Sequence, residues 1–284
     1  MGCDWQNVAL HLPHTFTGYQ RITNSKHLRV AMMGEHGLAW PWESLHIEAL
    51  AWFDQWLKGQ DTGILEGPHF RYVIPEAESW RTTDSWPLPE AGSLAYALRA
   101  DGMLAEDEGA FGSRTYMNLG GGLNRPRSSE TDPPSFLHWT TPALSHDFEL
   151  VGPIELQLSA ACTAPDTAFI AVLQDINKDE SAVNITAGYL RAGLRGVDEA
   201  ASKPGAPVLG CFRFEPVPIG ECVTYRIPLV PNARHFRIGH KIRLSLTTDD
   251  QNKDMPALLE FRHASIGTSS FNTVFRRRGS CFLR

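Results

Sequence analysis

The sequence predicts a mainly β protein, in which a large antiparallel β-sandwich of jelly-roll type follows a shorter segment of alternating strands and helices. The sandwich is indicated by short runs of alternating apolar and polar residues, separated by Gly, Pro, Asp and Asn, with hardly a helical period among them. The clearest of these runs are 148–151, 154–158, 168–173 and 241–246. The N-terminal segment differs, because an apolar run there is followed by apolar residues at helical spacing.

The N-terminal segment contains one predicted buried strand and two predicted helices. Residues 28–33 form a short apolar run bounded by polar residues, which is typical of a buried strand. From Ser44 to Leu57 apolar side chains recur every three or four residues, with Ser44 as a candidate N-cap and Gly59 as a candidate stop. A shorter helix is predicted over 15–22 and is weakened by Gly18.

The character of the sequence changes near Gly63, and this change indicates the domain organisation. We expect residues 1–63 to form the strand–helix segment, 64–92 to form a connecting strand and linker, and 93–284 to form the sandwich. Within the linker, 70–74 is predicted to be a strand, and 80–89 an irregular connection rich in Trp and Pro.

Composition and charge exclude several classes of function. The 284 residues include 26 Lys and Arg against 32 Asp and Glu, a net charge of −6, so we expect no nucleic acid partner. No run approaches the roughly 20 apolar residues needed to span a bilayer, and the N-terminus has no signal pattern. We therefore expect no membrane partner and a cytoplasmic location. The five cysteines are scattered without a C-x-x-C, which favours free thiols in a reducing compartment.

A candidate catalytic pair lies in the first forty residues. Asp4, then a helix, a strand and a glycine-flanked loop with His36, follow the order of the last acid-to-histidine unit of an α/β-hydrolase triad. In such a triad the histidine is the general base and the acid orients it. An ordinary surface turn is the alternative explanation of His36. The sequence contains no G-x-S-x-G, so the chain alone lacks the nucleophilic serine and is expected to be inactive.

Several longer runs resemble a known family. The segment 26–63, whose helix ends in WFDQWLKG, resembles the end of the hydrolase domain in the CocE/NonD family, which includes cocaine esterase, α-amino-acid ester hydrolases and X-Pro dipeptidyl-peptidases. Runs such as APDTAFIAVLQDINKDESAVNITAGYLRAGLR and YRIPLVPNARHFRIGHKIRLSLTTDD resemble the family's C-terminal jelly roll, which is galactose-binding-like in fold. The resemblance implies the last strand–helix units of a truncated α/β-hydrolase domain followed by that jelly roll.

The resemblance also implies a reaction and its residues. The parent protein would hydrolyse an ester or an X-Pro dipeptide amide through an acyl-enzyme, with His36 as the catalytic histidine. The family's G-W-Y-D segment corresponds to residues 2–7, where Asp4 is the one carboxylate but stands out of step. The alternative is that Asn7 occupies the position of the family's acidic residue. The family's serine, and the tyrosine beside it, have no match in this chain.

We expect no cofactor and no metal. His11, His14, His36 and His46 could suggest a metal site, but the family has no role for a metal. The run 175–179 imitates a calcium loop, yet Glu180 replaces the required Gly, so a hairpin turn is predicted instead. The expected partner is a small-molecule ester or peptide substrate of the full-length parent, and the oligomeric state is left open.

The alternative function is a non-catalytic jelly-roll module that binds carbohydrate or another ligand. It is weakened by the lack of a dedicated sugar platform, and by the helix over 44–57, whose apolar face would be left exposed. Upstream coding sequence separates the two hypotheses. An in-frame G-x-S-x-G about a hundred or more residues before Gly2 would indicate a truncated hydrolase.

Overall fold

The computed structural model describes residues 1–8, 11–31, 43–77, 79–107, 109–119, 134–249, 268–276 and 281–283. Contacts between residues divide the chain into two compact units. The first unit is Met1–Glu90 together with Ala233–His235, and the second is Ala91–Asn232 together with Phe236–Arg284. The three segments expected from the sequence, 1–63, 64–92 and 93–284, stay a prediction.

The first unit is a four-stranded sheet with two helices. Its elements are β1 (Gly2–Asp4), α1 (Leu12–Arg21), β2 (Leu28–Ala31), α2 (Glu43–Leu57), β3 (Phe70–Ile74) and β4 (Ser79–Thr83). The strand order is β1-β2-β3-β4, in which the first three strands are parallel and β4 is antiparallel to β3. The connections through α1 and α2 are what this arrangement needs, because parallel neighbours require a crossover connection.

The predicted elements of this unit are present, with some shifted ends. The helix predicted over 44–57 is α2, and the predicted strand is observed as β2, whose last two predicted positions lie outside the described residues. Helix α1 begins at Leu12, earlier than predicted, and a proline in its first turn fits there because the N–H that proline lacks has no helical partner. The irregular connection predicted over 80–89 is wrong in its first part, since pairing with β3 makes it the strand β4.

The two helices cover opposite faces of the sheet. Tyr19 of α1 packs against Phe70 of β3, whose cross-strand partner in β2 is Leu28. Arg29, the next residue of β2, forms an ion pair of 2.8 Å with Glu48 of α2. Because successive side chains of a strand point to opposite faces, α1 lies on the face of Leu28 and α2 on the face of Arg29.

The second unit is an antiparallel β-sandwich. Its elements are β5 (Leu94–Leu98), β6 (Leu104–Ala105), β7 (Ser113–Asn118), β8 (Phe136–Thr140), β9 (Phe148–Cys162), β10 (Ala168–Ile176), β11 (Ala182–Arg191), a turn of 3-10 helix at Ala192–Leu194, β12 (Val223–Phe236), β13 (Lys241–Thr247), β14 (Ser270–Phe275) and β15 (Cys281–Leu283). The strand order is β6-β5-β15-β9-β12-β11-β10-β13-β8, and β14 pairs with β7 and β9. The predicted mainly β fold with a sandwich is confirmed.

One apolar core fills the sandwich, and the strand β9 shows how the sequence pattern builds it. Ile154, Leu156 and Leu158 are buried in this core, whereas Glu155 and Gln157 alternate with them along the strand. This alternation is the period of two that one buried face produces. The side chains of Glu155 and Gln157 are thereby directed to the outer face of the sheet.

Strand β10 is buried on both faces. Its Phe169 and Leu173 belong to the main core, whereas Ile170 and Val172 belong to a second apolar cluster. This explains why 168–173 is a nearly continuous apolar run, since such runs are typical of strands with no solvent-facing side.

The hairpin between β10 and β11 confirms the turn predicted in place of a calcium loop. The backbone N–H of Asn177 donates to the carbonyl of Ser181 at 2.9 Å, and Glu180 takes a positive φ of 65°. The backbone N–H and the hydroxyl of Ser181 both donate to Asp179 and lower the pKa of that carboxyl. The acidic side chain therefore stabilises the turn itself.

Candidate functional site

Asp4 is the last residue of β1 and lies at the carboxyl edge of the parallel strands. Its cross-strand partner is Ala31, the last residue of β2, so the ends of the two strands meet at one edge. His36 follows Ala31 by five residues in the sequence and lies outside the described residues. The structure therefore places Asp4 beside the point where β2 ends and the chain continues toward His36. Functional residues of α/β proteins gather at this edge.

The carboxylate of Asp4 is buried and held by the turn that follows it. The backbone N–H of Gln6 donates to Oδ1 of Asp4 at 2.7 Å, and the backbone N–H of Asn7 donates to its carbonyl oxygen at 3.1 Å. A short hydrogen bond from an N–H to a carboxylate is a charge-assisted one, and it limits the orientations that the side chain can take. Asp4 thus has one oxygen anchored to the backbone.

Asn7, the other position open for the acid, has a local structural role. Its Oδ1 accepts a hydrogen bond from the backbone N–H of His11 at 3.1 Å, and its carbonyl accepts one from Leu12 at 3.1 Å. Both contacts lie where α1 begins, and side-chain oxygens of Asn commonly satisfy backbone N–H groups at such a position.

Trp5 is a positioning residue that the sequence reasoning did not single out. Its indole is buried beside Phe16 and Trp86, with ring centroids 5.8 and 6.4 Å away, and its Nε1 donates to the backbone carbonyl of Val73 at 2.7 Å. Because Trp5 follows Asp4 directly, these contacts fix the chain on the carboxyl side of the candidate acid. The sequence does show a tryptophan next to the candidate acid, but it does not show that the indole binds Val73 in β3.

Cys3, the neighbour of Asp4 on the other side, is unsuited to replace the serine as nucleophile. Burial raises the pKa of its thiol, which also donates to the carbonyl of Asp4 at a sulfur–oxygen distance of 3.6 Å. The thiolate is the reactive form, so a raised pKa lowers its population near neutral pH. The cysteines whose state the structure describes, Cys3, Cys162, Cys211 and Cys222, form no disulfide.

Within the described part of the chain, no group of three or more His, Cys, Asp and Glu side chains has the spacing to hold a metal ion. His11 and His14 lie at the start of α1, and His46 lies on α2. Among the described residues, His11, His14 and His46 thus belong to no such group, and the fourth histidine of the suggested cluster, His36, lies outside them. Across the same described residues, no helix is both long enough and apolar enough to cross a membrane.

The sandwich unit contains a cleft built over a buried ion pair. Glu155 of β9 is 1% exposed, and Arg226 of β12 donates to its two carboxylate oxygens from Nε at 2.6 Å and Nη2 at 3.3 Å. Hydrogen bonding to Glu155 raises the pKa of Arg226. The cleft has a volume of about 200 Å³ and is lined by Ser93, Pro153, Glu155, Gln157, Pro204, Gly205 and Arg226. Among the side chains that the structure describes, those lining the cleft include no aromatic ring.

Residues 48–258 match the family model of the X-Pro dipeptidyl-peptidase C-terminal non-catalytic domain. Among curated proteins, the chain is 26% identical over 275 residues to a candidate serine esterase of Mycobacterium bovis, covering 82% of this chain and 43% of that protein. It is 23% identical over 226 residues to the cocaine esterase of a Rhodococcus species, covering 70% of this chain and 37% of that enzyme. The chain thus spans less than half the length of these relatives.

Solved structures show the same fold at lower identity. A CocE/NonD family hydrolase from Staphylococcus aureus superposes with a TM-score of 0.79 at 17% identity, over 99% of this chain and 52% of that one. An α-amino acid ester hydrolase superposes with a TM-score of 0.67 at 13% identity, over 99% of this chain and 53% of that one. The mainly β sandwich therefore agrees with the C-terminal jelly roll that the CocE/NonD resemblance implied.

Proposed function

Because this chain belongs to the family of X-Pro dipeptidyl-peptidase C-terminal non-catalytic domains, we propose that it is the C-terminal portion of a serine hydrolase and supplies the acid and the base of the catalytic triad. Asp4 would be the acid and His36 the base, and both precede the matched residues 48–258. The serine would come from a separate stretch of polypeptide, since this sequence has no G-x-S-x-G.

The observation that carries the proposal is the pairing of Asp4 with Ala31 at the ends of two parallel strands. Neighbouring strands lie about 5 Å apart, and five extended residues reach at most about 17 Å, so His36 can return to Asp4. Helices on opposite faces of the sheet suit a parallel sheet that continues into a larger α/β domain. The curated relatives named as esterases are more than twice as long as the part that aligns.

The role of each residue follows from acyl-transfer chemistry. His36 would remove the serine proton as the serine oxygen attacks the carbonyl carbon of an ester or amide, and would then pass that proton to the leaving group. Asp4 would accept a hydrogen bond from the imidazole and stabilise its protonated form. Water would then attack the acyl carbon and give a proton to His36, which would pass a proton to the serine oxygen as the acyl–serine bond breaks. No step in this sequence calls for a metal or a cofactor.

Asp4 is a better candidate for the acid than Asn7. Asp4 carries a carboxylate at the end of β1, one oxygen of which accepts from the backbone of Gln6, whereas the side-chain oxygen of Asn7 accepts from the backbone N–H of His11 before α1. An amide at the acid position also cannot stabilise an imidazolium as a carboxylate does. We therefore assign the acid to Asp4 and a structural role to Asn7. We further propose a cytoplasmic location, which the free state of the four described cysteines supports.

A hybrid protein tests the catalytic assignment. In it, this chain replaces the aligned part of the Mycobacterium bovis relative, which supplies the remaining polypeptide. We expect hydrolysis of a p-nitrophenyl ester, a loss of about 10⁶-fold with His36→Ala, and a loss of about 10⁴-fold with Asp4→Asn. Asn7→Ala is the matched control and should retain activity. A folded hybrid in which Asp4→Asn is as active as the parent would overturn the assignment of the acid.

The isolated chain gives a second test that needs no turnover. The pH midpoint of His36 protonation, followed by NMR, should move to lower pH in Asp4→Asn, because the neighbouring carboxylate favours the protonated imidazole. Asn7→Ala should leave the midpoint in place. If the midpoint is unchanged in Asp4→Asn and moves only in Asn7→Ala, Asp4 is not the carboxylate that pairs with His36.

A further inference from the structure

Helix α2 exposes large apolar side chains along one side. Between His46 and Leu57 no residue is fully buried, although a helix of a globular protein normally directs its apolar stripe into a core. The exposed side chains are between 54% and 77% accessible and form what we call the apolar stripe: Ile47, Leu50, Phe53, Trp56 and Leu57. At 3.6 residues per turn these five positions fall on one half of the helix surface.

The opposite half of α2 attaches the helix to the sheet through partly polar contacts. Glu48 forms the 2.8 Å ion pair with Arg29, and the ring of Trp52 lies 5.4 Å from that of His27. The arrangement differs from an ordinary amphipathic helix, because the five large apolar side chains face outward, on the half of the helix that also carries His46 and Asp54. A contiguous exposed apolar surface of this kind is typical of a contact with another element of structure.

The sheet beneath α2 also has an open edge. Among the described strands, β1 pairs with β2 alone, so its other side is an edge of the parallel part of the sheet. Parallel sheets occur almost always with further strands and with helices covering both faces, since each crossover adds a helix. An open parallel edge and an uncovered helix in the same unit both indicate additional α/β polypeptide.

We propose that the apolar stripe of α2 is the docking surface for a helix of the polypeptide that carries the nucleophilic serine. This rests on the proposed function, and it adds the surface by which the two portions associate. The length of a related structure identifies the occupant. This chain superposes over 99% of its length on 52% of the Staphylococcus aureus hydrolase, so nearly half of that protein has no counterpart here and is available to cover the stripe. Burying the stripe against an apolar helix face removes its surface from water, which favours association.

Cysteine labelling tests the docking surface. Leu50→Cys is introduced into the isolated chain and into the hybrid with the Mycobacterium bovis relative, and maleimide labelling is followed peptide by peptide. The native Cys222 is exposed and serves as the internal reference. We expect labelling at position 50 to be at least tenfold slower in the hybrid than in the isolated chain. Equal rates in a folded hybrid would overturn the proposal.

The hybrid's folding is monitored in the same experiment. Cys162 is buried, so its labelling reports an unfolded hybrid. In that case the isolated chain is mixed with the separately produced upstream part of the relative. A 1:1 complex that protects position 50 then supports the proposal, and the absence of a complex at high micromolar concentration counts against it.

The isolated chain tests the alternative occupant, a second copy. Sedimentation of the wild-type chain should show weak, concentration-dependent association that the double variant Leu50→Glu/Phe53→Glu abolishes. Arg213→Glu, at an exposed position of the second unit, changes the net charge by the same two units and is the control. A stable dimer with position 50 protected would assign the stripe to a second copy and overturn the proposed occupant.

Failure of the docking surface and failure of the proposed function give different results. Protection of position 50 in a hybrid without esterase activity supports the docking surface and contradicts the triad assignment. An active hybrid in which position 50 is labelled as fast as in the isolated chain supports the triad and contradicts the docking surface.

Discussion

The indole Nε1 of Trp5 donates a 2.7 Å hydrogen bond to the backbone carbonyl oxygen of Val73, 68 residues later in the sequence. Trp5 directly follows β1, and Val73 lies in β3, so the bond reaches past the intervening strand β2. It therefore connects the two outer members of the parallel sheet at the edge where Asp4 lies. The position of the candidate acid depends in this way on a strand that lies far away in the sequence.

Trp5→Phe should weaken this edge of the sheet. The substitution keeps an aromatic ring against Phe16 but removes the donor to Val73, and leaving a buried carbonyl without its donor costs about 1–3 kcal/mol. Hydrogen exchange of the β1 and β3 amides, measured by mass spectrometry, should accelerate accordingly. Trp80→Phe is the control, because Trp80 is partly exposed. Equal acceleration in both variants would show that the Trp5 hydrogen bond has no special role.

Arg226→Met should destabilise the sandwich by about 3–5 kcal/mol, because it leaves the buried carboxylate of Glu155 without its charged partner. The double variant Glu155→Gln/Arg226→Met should recover part of this loss, since no buried charge is left. Urea unfolding of the three proteins measures both effects.

Glu199→Gln is the matched control for this pair. Glu199 contacts Nη1 of the same guanidinium at 3.0 Å, but its side chain is largely exposed. Exposed ion pairs contribute about 0–1 kcal/mol, so this variant should be close to the wild type. A loss as large as that of Arg226→Met would mean that burial does not decide the energetics of this network.

Tyr116→Phe should be neutral or stabilising at pH 7. Tyr116 is fully buried, and its hydroxyl has no hydrogen-bond partner in the described structure, so removing the hydroxyl relieves an unsatisfied group. Urea unfolding at pH 7 checks this. A loss of more than about 1 kcal/mol would show instead that a hydrogen bond to this hydroxyl stabilises the fold.

The same variant should change the response to alkaline pH. Burial raises the pKa of Tyr116 well above its ordinary value near 10, so above that pH the unfolded state loses a proton that the folded state keeps. Stability therefore falls as pH rises above about 10, by about 1.4 kcal/mol per pH unit for one such group. Between pH 10 and 11, Tyr116→Phe should lose less stability than the wild type. If stability falls equally steeply with pH in the two proteins, ionisation of Tyr116 does not cause the loss of stability.

His240→Ala should destabilise the sandwich by about 1–3 kcal/mol at pH 7. Nδ1 of His240 lies 2.9 Å from Oδ1 of Asp175, whose carboxylate is fully buried at the end of β10. Removing the imidazole takes one hydrogen-bond donor from a buried carboxylate. His146→Ala is the control, because His146 is exposed and contacts the adjacent Ser145. The thermal midpoint of unfolding distinguishes the two variants.

The larger elements could be predicted because their signals are local. The alternation of apolar and polar residues in 154–158 and the helical spacing over 44–57 reflect the period of the element itself, so both were recognisable without any partner. The turn over 175–180 was predicted on the same basis, from Asp and Asn next to a glutamate that cannot replace the glycine of a calcium loop. The order of Asp4 and His36 along the chain, and the absence of a serine elbow, were likewise properties of the sequence alone.

Other features depended on tertiary contacts. Strand β4 was predicted as an irregular connection, because its side chains carry no alternation and β3 is what holds it extended. The structural role of Asn7 and the attachment of Trp5 to Val73 required knowing which groups meet in space. The same is true of Glu155, whose charge is buried because Arg226 of another strand covers it.

The sequence by itself determined the mainly β fold, the strand–helix unit before it and the candidate acid and base, because period, turn residues and chain order are local properties. The tertiary structure alone decided that Asp4 ends a strand beside Ala31, and that α2 turns its apolar stripe outward. Which side of a helix is buried is set by the partner it packs against, and a helix with an apolar side has the same spacing whether or not that side is covered.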